Sequence, residues 1–174
     1  LELRERLTAT PSARDPWSWV ETRDESGVVV RVASSYADAE AARDLIRDAW
    51  GVNQDERYFY GLFDDAAKLF EAVIEPSRRT GDMHDLDAIC VIIDALDDSG
   101  QRCSVGTFSY VFDHEARTIE IGRGAIARAW QRTGIPLKAL GPMMKLLAAM
   151  PEYAVITDAT TLARGAKATA DALS

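Results

Sequence analysis

Apolar positions recur along this chain with two periods. Ala39, Ala42, Ile46 and Ala49, with Leu45 beside them, fall three and four residues apart, which predicts one buried face of an α-helix. Ser35-Tyr36-Ala37-Asp38 forms a capping box in front of that helix, and Gly51 is placed to stop it. Leu69, Phe70, Val73 and Ile74 predict a second helix over about 64–75, ended by Pro76. From Ala88 onward the text changes to strands. Runs at 88–96, 102–112 and 118–128, separated by DDSG and DHEAR, predict three antiparallel strands in succession. A helix over 137–149 follows, kinked or started late by Pro142. A strand over 153–158 and a closing helix over TTLARGAKATADAL complete the pattern. At the other end, 17–22 and 28–33 predict a hairpin around DESG, behind a polar segment over 1–16.

The predicted order is β, β, α, α, β, β, β, α, β, α. This is an α+β fold whose mixed, mostly antiparallel central sheet is flanked by helices. The passage 118–158 can pair its two strands in parallel only through a crossover helix. The organisation expected is a tail and first hairpin strand over 1–27 and one main domain over 28–174.

Composition narrows the class. A chain of 174 residues, 47% hydrophobic and 28% charged, suits one ordinary globular domain. No apolar run approaches the roughly 20 residues that span a bilayer, so no membrane partner and a cytoplasmic location are expected. The chain opens at Leu1 rather than Met, which leaves a removed leader open. Cys90 and Cys103 sit in strand-like text and read as free thiols rather than a disulfide. With no CxxC or Cys/His cluster, no metal is expected. A net charge of −8 argues against a nucleic-acid partner, because that binding is driven by Lys and Arg.

Local text adds candidates. QRTGIP, at the join of the strand over 118–128 and the helix after it, has the makings of an anion-binding corner. Gly134 permits close approach, and Arg132 and Arg128 add charge. A plain turn accounts for the same letters. His84 and His114 lie in polar turns and read as solvated, and DALDDSG as a hairpin turn rather than a calcium loop. Tyr58, Phe59, Tyr60 and Phe63 read as packing at the start of a helix. Met143 and Met144 read as core.

In this order of elements, Gln131-Arg132-Thr133-Gly134-Ile135-Pro136 resembles the Gln/Arg-x-x-Gly-x-Gly/Ala signature of the GNAT superfamily, the acyl-coenzyme A dependent N-acyltransferases. The resemblance covers about 28–173, and it implies for Tyr58, Phe59, Tyr60 and Phe63 the alternative of a roof over the acceptor site. It implies transfer of an acyl group, in most members acetyl, from acyl-coenzyme A to a small-molecule or peptide amine by direct attack in a ternary complex. It assigns the pyrophosphate to Gln131, Arg132, Thr133, Gly134, Ile135 and Pro136. The pantetheine arm falls to the backbone of Ile126, Ala127 and Arg128, with a donor near Ile126 polarising the thioester carbonyl. Glu120, six residues before Ile126, matches a family position for the proton acceptor; the solvent face of an alternating strand is the other explanation.

Three departures keep other functions open. Pro136 stands where the signature has Gly or Ala and brings no N–H. The last helix has no Tyr to serve as the family's acid; Tyr153 does not match that position, and Thr160 and Thr161 suit capping. The text ends at Ser174, before the two final strands of the family fold, so a longer protein, a further domain or a second copy would complete the sheet. A GNAT-like domain with a binding or assembly role is therefore one alternative. Transfer from an acyl carrier protein is another, for which Arg123, Arg128, Arg132 and Lys138 would form a basic entrance.

Overall fold

The computed structural model describes residues 15–50 and 65–157. The closing helix, Gly51, Thr160, Thr161 and the aromatic set Tyr58, Phe59, Tyr60 and Phe63 lie outside the described residues, as does completion of the sheet past 157.

Among the described residues, six strands form one sheet in the order of the chain: β1 (Thr22–Arg23), β2 (Val29–Val32), β3 (Ala88–Leu96), β4 (Arg102–Asp113), β5 (Thr118–Ile126) and β6 (Ala154–Thr157). All neighbours are antiparallel except β5 and β6, which pair in parallel from Thr118↔Ala154 to Ile121↔Thr157. The helices are α1 (Tyr36–Trp50), α2 (Ala66–Leu69), α3 (Glu75–Ser77), α4 (Ile135–Lys138) and α5 (Leu140–Ala148). A π-helical stretch, Phe70–Ile74, joins α2 to α3.

β3 shows why the sheet is covered on both faces. Ile89, Val91 and Ile93 pack with Trp17, Val20, Tyr110, Phe112 and Ile119 against Ile135, Leu146 and Met150. Cys90 and Ile92, in alternation with them, pack against Ala42, Leu45 and Ile46 of α1 and against Leu69, Phe70 and Val73. A strand buried on both sides reads as a continuous apolar run, which AICVIIDAL is.

The hairpin turns between β1 and β2 and between β3 and β4 share one chemistry. Asp24 Oδ1 accepts from the N–H of Ser26 and of Val28, and Asp97 Oδ1 accepts from the N–H of Ser99 and of Gln101. In each, the glycine three places on takes a left-handed φ, 84° at Gly27 and 80° at Gly100.

The capping box is present. Asp38 N–H donates to Ser35 Oγ at 3.1 Å, and Ser35 N–H to Asp38 Oδ2 at 3.2 Å. Asp38 does more than cap. Arg31 donates to both its oxygens at 2.8 Å, and through Nε to Asp94 at 2.8 Å, while Ser104 Oγ donates to Asp94 at 2.8 Å. This buried network ties the start of α1 to β2, β3 and β4.

Several sequence expectations are corrected. The first strand of the hairpin is only Thr22–Arg23, and residues 17–21 do not join it: 16–20 turn, Trp17 and Val20 plug the core three apart, and Trp17 Nε1 donates to the Ser77 carbonyl at 2.7 Å. Pro76 does not end its helix. The π stretch shifts the hydrogen-bond register, so Pro76 falls in the first turn of α3, where an N–H has no intrahelical acceptor. The helix expected over 137–149 begins at Ile135 and breaks at Ala139, and Pro142 sits in the first turn of α5. Met143 packs against the core, whereas Met144 is exposed on the outer side of α5. The histidines are not simply solvated. His114 donates from Nε2 to the Leu86 carbonyl at 2.6 Å, which leaves Nδ1 to accept from Tyr153 Oη at 2.7 Å when the ring is neutral. His84 lies between Asp82 and Glu152, 2.8 Å from each.

Candidate functional site

β5 carries the candidate chemistry, and its geometry follows from its register. Thr107 pairs with Ala125 and Ser109 with Gly122, so two residues of β5, Arg123 and Gly124, oppose one of β4. This is a β-bulge. Arg123 takes a φ of 54°, a left-handed conformation that costs a non-glycine residue about 1–2 kcal/mol. The bulge lies just past Ile121, which pairs with Thr157, the last described residue of β6.

Beyond the bulge, alternation decides which backbone groups face out. Ala127 N–H donates to the Val105 carbonyl at 2.8 Å, so it points toward β4. The Ile126 N–H and carbonyl therefore point away from β4, where an added ligand would lie. The Ile126 carbonyl accepts from Gln131 Nε2 at 3.1 Å. Arg128 N–H donates to Asp48 Oδ2 at 2.9 Å, and Arg128 Nε returns a bond to the Asp48 carbonyl at 2.8 Å. Of the three N–H groups assigned to a pantetheine arm, those of Ala127 and Arg128 are thus engaged within the protein, and that of Ile126 faces outward.

β5 ends at Ile126, and a 3₁₀ turn, Arg128–Trp130, leads into the corner. Thr133 N–H and hydroxyl both donate to the Trp130 carbonyl, closing the turn. Arg132 and Gly134 take left-handed φ values of 67° and 80°. Ile135 is buried and anchors the corner in the core, so it reaches the site only through its N–H. Among the described residues, the N–H groups of Arg132, Gly134 and Ile135 have no recorded acceptor. Such a succession of N–H groups makes an anion-binding concavity. The residues therefore fit a pyrophosphate, with the exposed Arg132 guanidinium beside them. The helix contributes less than the sequence promised, because α4 has only four residues and Pro136 lies in its first turn.

The other basic residues near the corner have acidic partners. Lys138 bonds Asp24, which holds that carboxyl far below its usual range, and Ser26 Oγ at 3.3 Å. Arg123 Nη1 lies 3.9 Å from Glu120 Oε1.

Glu120 projects from the face opposite the buried Ile119, on the side of α1. Its strand partners are Val111 and Ile156. Its side chain is 41% exposed, and a Cβ at Gly122 would meet only Glu120 Oε1, at 3.7 Å. An open hollow lies on the same side of the sheet, lined by Ala41, Asp44, Leu45, Asp48, Ser104 and Ala127.

Two contributors escaped the sequence. Arg123 as a bulge residue needs the β4 partner to be seen, although glycines on both sides were a hint. Asp48 had a signal: an acid in the last turns of a helix opposes the helix dipole and so calls for a partner. Cys90 and Cys103 are both free thiols, and burial pushes Cys90 up to about 11. Among the described residues there is no group of three metal-ligating side chains, and no helix is long and apolar enough to cross a membrane.

No family model and no curated protein matches the chain. Solved structures do. The aminoglycoside 6′-N-acetyltransferase AAC(6′)-Ih from Acinetobacter baumannii superposes with a TM-score of 0.51 at 12% identity, over 84% of this chain and 89% of its own. The aminoglycoside acetyltransferase HMB0005 from an uncultured soil metagenomic sample gives 0.51 at 21% identity, over 85% and 91%. A protein of Pyrococcus horikoshii gives 0.46 at 16% identity, over 77% of this chain but 38% of its own, and that score carries no inference. At these identities the likeness concerns the fold alone. With the mixed sheet, the bulged fifth strand and the corner that follows it, the chain has the fold of the GNAT acetyltransferases.

Proposed function

We propose that this chain is an N-acyltransferase that moves an acyl group, acetyl in the simplest case, from acyl-coenzyme A to an amine. The observation that carries this is the course of β5. It bulges at Arg123 and Gly124, turns the Ile126 N–H away from β4, and runs directly into a corner where the N–H groups of Arg132, Gly134 and Ile135 have no acceptor among the described residues.

Acyl-coenzyme A supplies an activated acyl group on a thioester, and the carbon–sulfur bond that breaks is replaced by a carbon–nitrogen bond to the acceptor. The corner N–H groups of Arg132, Gly134 and Ile135, with the Arg132 side chain, hold phosphate. The Ile126 N–H steadies the negative charge that builds on the carbonyl oxygen. Glu120 draws in a cationic acceptor and takes its proton, directly or through water. That step is needed because an alkyl ammonium with a pKa of about 10.4 is not a nucleophile at neutral pH. The leaving thiol takes its proton from solvent.

Binding without catalysis is the second reading, favoured by the engagement of the Ala127 and Arg128 N–H groups and by Pro136. Transfer from an acidic carrier protein gains less support, because Arg123, Arg128 and Lys138 each lie beside a carboxylate of this chain. Release of free thiol from acetyl-coenzyme A, measured with a panel of amines, tests the enzyme reading. Glu120→Gln should lower kcat by about 10²-fold or more at neutral pH, with less change in coenzyme affinity. Coenzyme binding without thiol release for any amine would favour the second reading.

A further inference from the structure

The bulge brings a base-type and an acid-recognising side chain together over bare backbone. Glu120 and Arg123 approach to 3.9 Å, with side chains 41% and 28% exposed. Neighbouring Gly122 and Gly124 contribute no side chains. A Cβ at Gly124 would meet nothing within 4 Å, and one at Gly122 only the Glu120 carboxylate. The backbone beside the two charges is therefore not covered by side chains of its own.

The spacing is informative. Arg31 and Asp38 elsewhere in the chain are locked together by two bonds of 2.8 Å. Glu120 and Arg123 stand about 1 Å further apart than such charge-assisted contacts. They are close enough to share a ligand and not closed on each other. The left-handed backbone of Arg123 is the kind of local strain that persists where a side chain must be aimed.

Resting on the acyltransferase reading, we infer that the acceptor is a zwitterion of the α-amino acid type, its ammonium taken by Glu120 and its carboxylate by Arg123. An α-amino acid carries those charges on one carbon, which suits a carboxylate and a guanidinium less than 4 Å apart. Simple amines would meet Glu120 and bring no carboxylate to Arg123. Acceptors with a blocked carboxylate would do the same.

The test compares matched pairs: phenylalanine with phenethylamine, ornithine with putrescine, lysine with cadaverine. Each is titrated into ¹⁵N-labelled protein while the amide signals of Gly122, Arg123 and Gly124 are followed, and each is then assayed for acetyl transfer. At least one amino acid should shift those signals at about tenfold lower concentration than its amine, with the same preference in kcat/KM. Arg123→Gln should reduce that preference about tenfold. Arg123→Gly, which suits the left-handed backbone and guards against misfolding, should do the same. Amines equal to or better than amino acids in every pair would overturn the inference, as would a preference indifferent to both variants. Coenzyme A titration into the same samples separates the two failures. Coenzyme binding with no preference for amino acids removes the zwitterion and keeps acyl transfer. Amino-acid shifts in a protein that ignores coenzyme A keep the zwitterion site and remove acyl transfer.

Discussion

The Asp48 carboxylate holds the backbone N–H of Arg128 at 2.9 Å, and the Arg128 side chain returns a bond to the Asp48 carbonyl at 2.8 Å. The end of α1 is thereby fastened to the turn just past β5, part of the backbone proposed to hold the coenzyme. A carboxylate there competes with the ligand for a donor and repels its phosphates. Asp48→Asn should tighten coenzyme A binding by about twofold to tenfold and lower stability by about 1 kcal/mol. Calorimetric titration and a denaturant melt of the same variant check both.

Arg31 is the only cation of the described network that joins Asp38 and Asp94, whose side chains are 8% and 4% exposed. Burial alone would raise the Asp38 carboxyl. The Arg31 guanidinium outweighs it, helped by bonds from Ser34 and Ser35, and the carboxyl is held below its usual value. Arg31→Met should cost about 3 kcal/mol in urea, because it leaves two buried carboxylates without their partner. A depressed pKa gives stability that is present above the unfolded value of about 3.9 and lost as pH falls through the folded one. Native protein should therefore lose more stability than Arg31→Met on going from pH 5 to pH 3.

How much of this could be read from the letters alone differs by element. The bounds of β3, Ala88–Leu96, were legible because an apolar run meets a D-x-S-G turn whose aspartate and glycine each have a fixed task. The segment 17–22 was not, because Trp17 and Val20 are apolar for the core and not for a sheet face. QRTGIP was legible as a corner, but its division of labour was not. Gln131 serves the Ile126 carbonyl, Thr133 closes a turn and Ile135 is core, so the candidate anion site falls to Arg132 and the N–H groups around Gly134. Those assignments depend on distances that no spacing rule supplies.

His84 gives a second pH dependence of opposite sign. Glu152 first, and Asp82 next, raise it above the usual histidine value of about 6.5 by hydrogen bonding the charged ring. A raised pKa gives stability that is fully present below the unfolded value and lost as pH rises through the folded one. The contact joins the 3₁₀ turn Met83–Asp85 to the residues just ahead of β6. The melting temperature of native protein should fall between pH 6 and pH 9 by more than that of His84→Gln. Parallel curves would remove His84 as the cause.

Gly134 has a φ of 80°, and a Cβ added there would meet nothing within 4 Å. Replacement by Ala therefore costs backbone energy alone, about 1–2 kcal/mol. Any relaxation of φ would also turn the Gly134 and Ile135 N–H groups away from their common target. Gly134→Ala should remain folded at 25 °C and bind coenzyme A at least about tenfold more weakly, as read by thermal melt and calorimetry.

The central claim is that the corner after β5 holds the pyrophosphate of acyl-coenzyme A. Calorimetric titration of coenzyme A and of free pantetheine into the native chain and into Arg132→Ala tests it most directly. The account predicts that coenzyme A binds native protein much more tightly than pantetheine does, and that Arg132→Ala removes about tenfold or more of that difference. A folded protein that binds neither, or one that does not distinguish them, would contradict it.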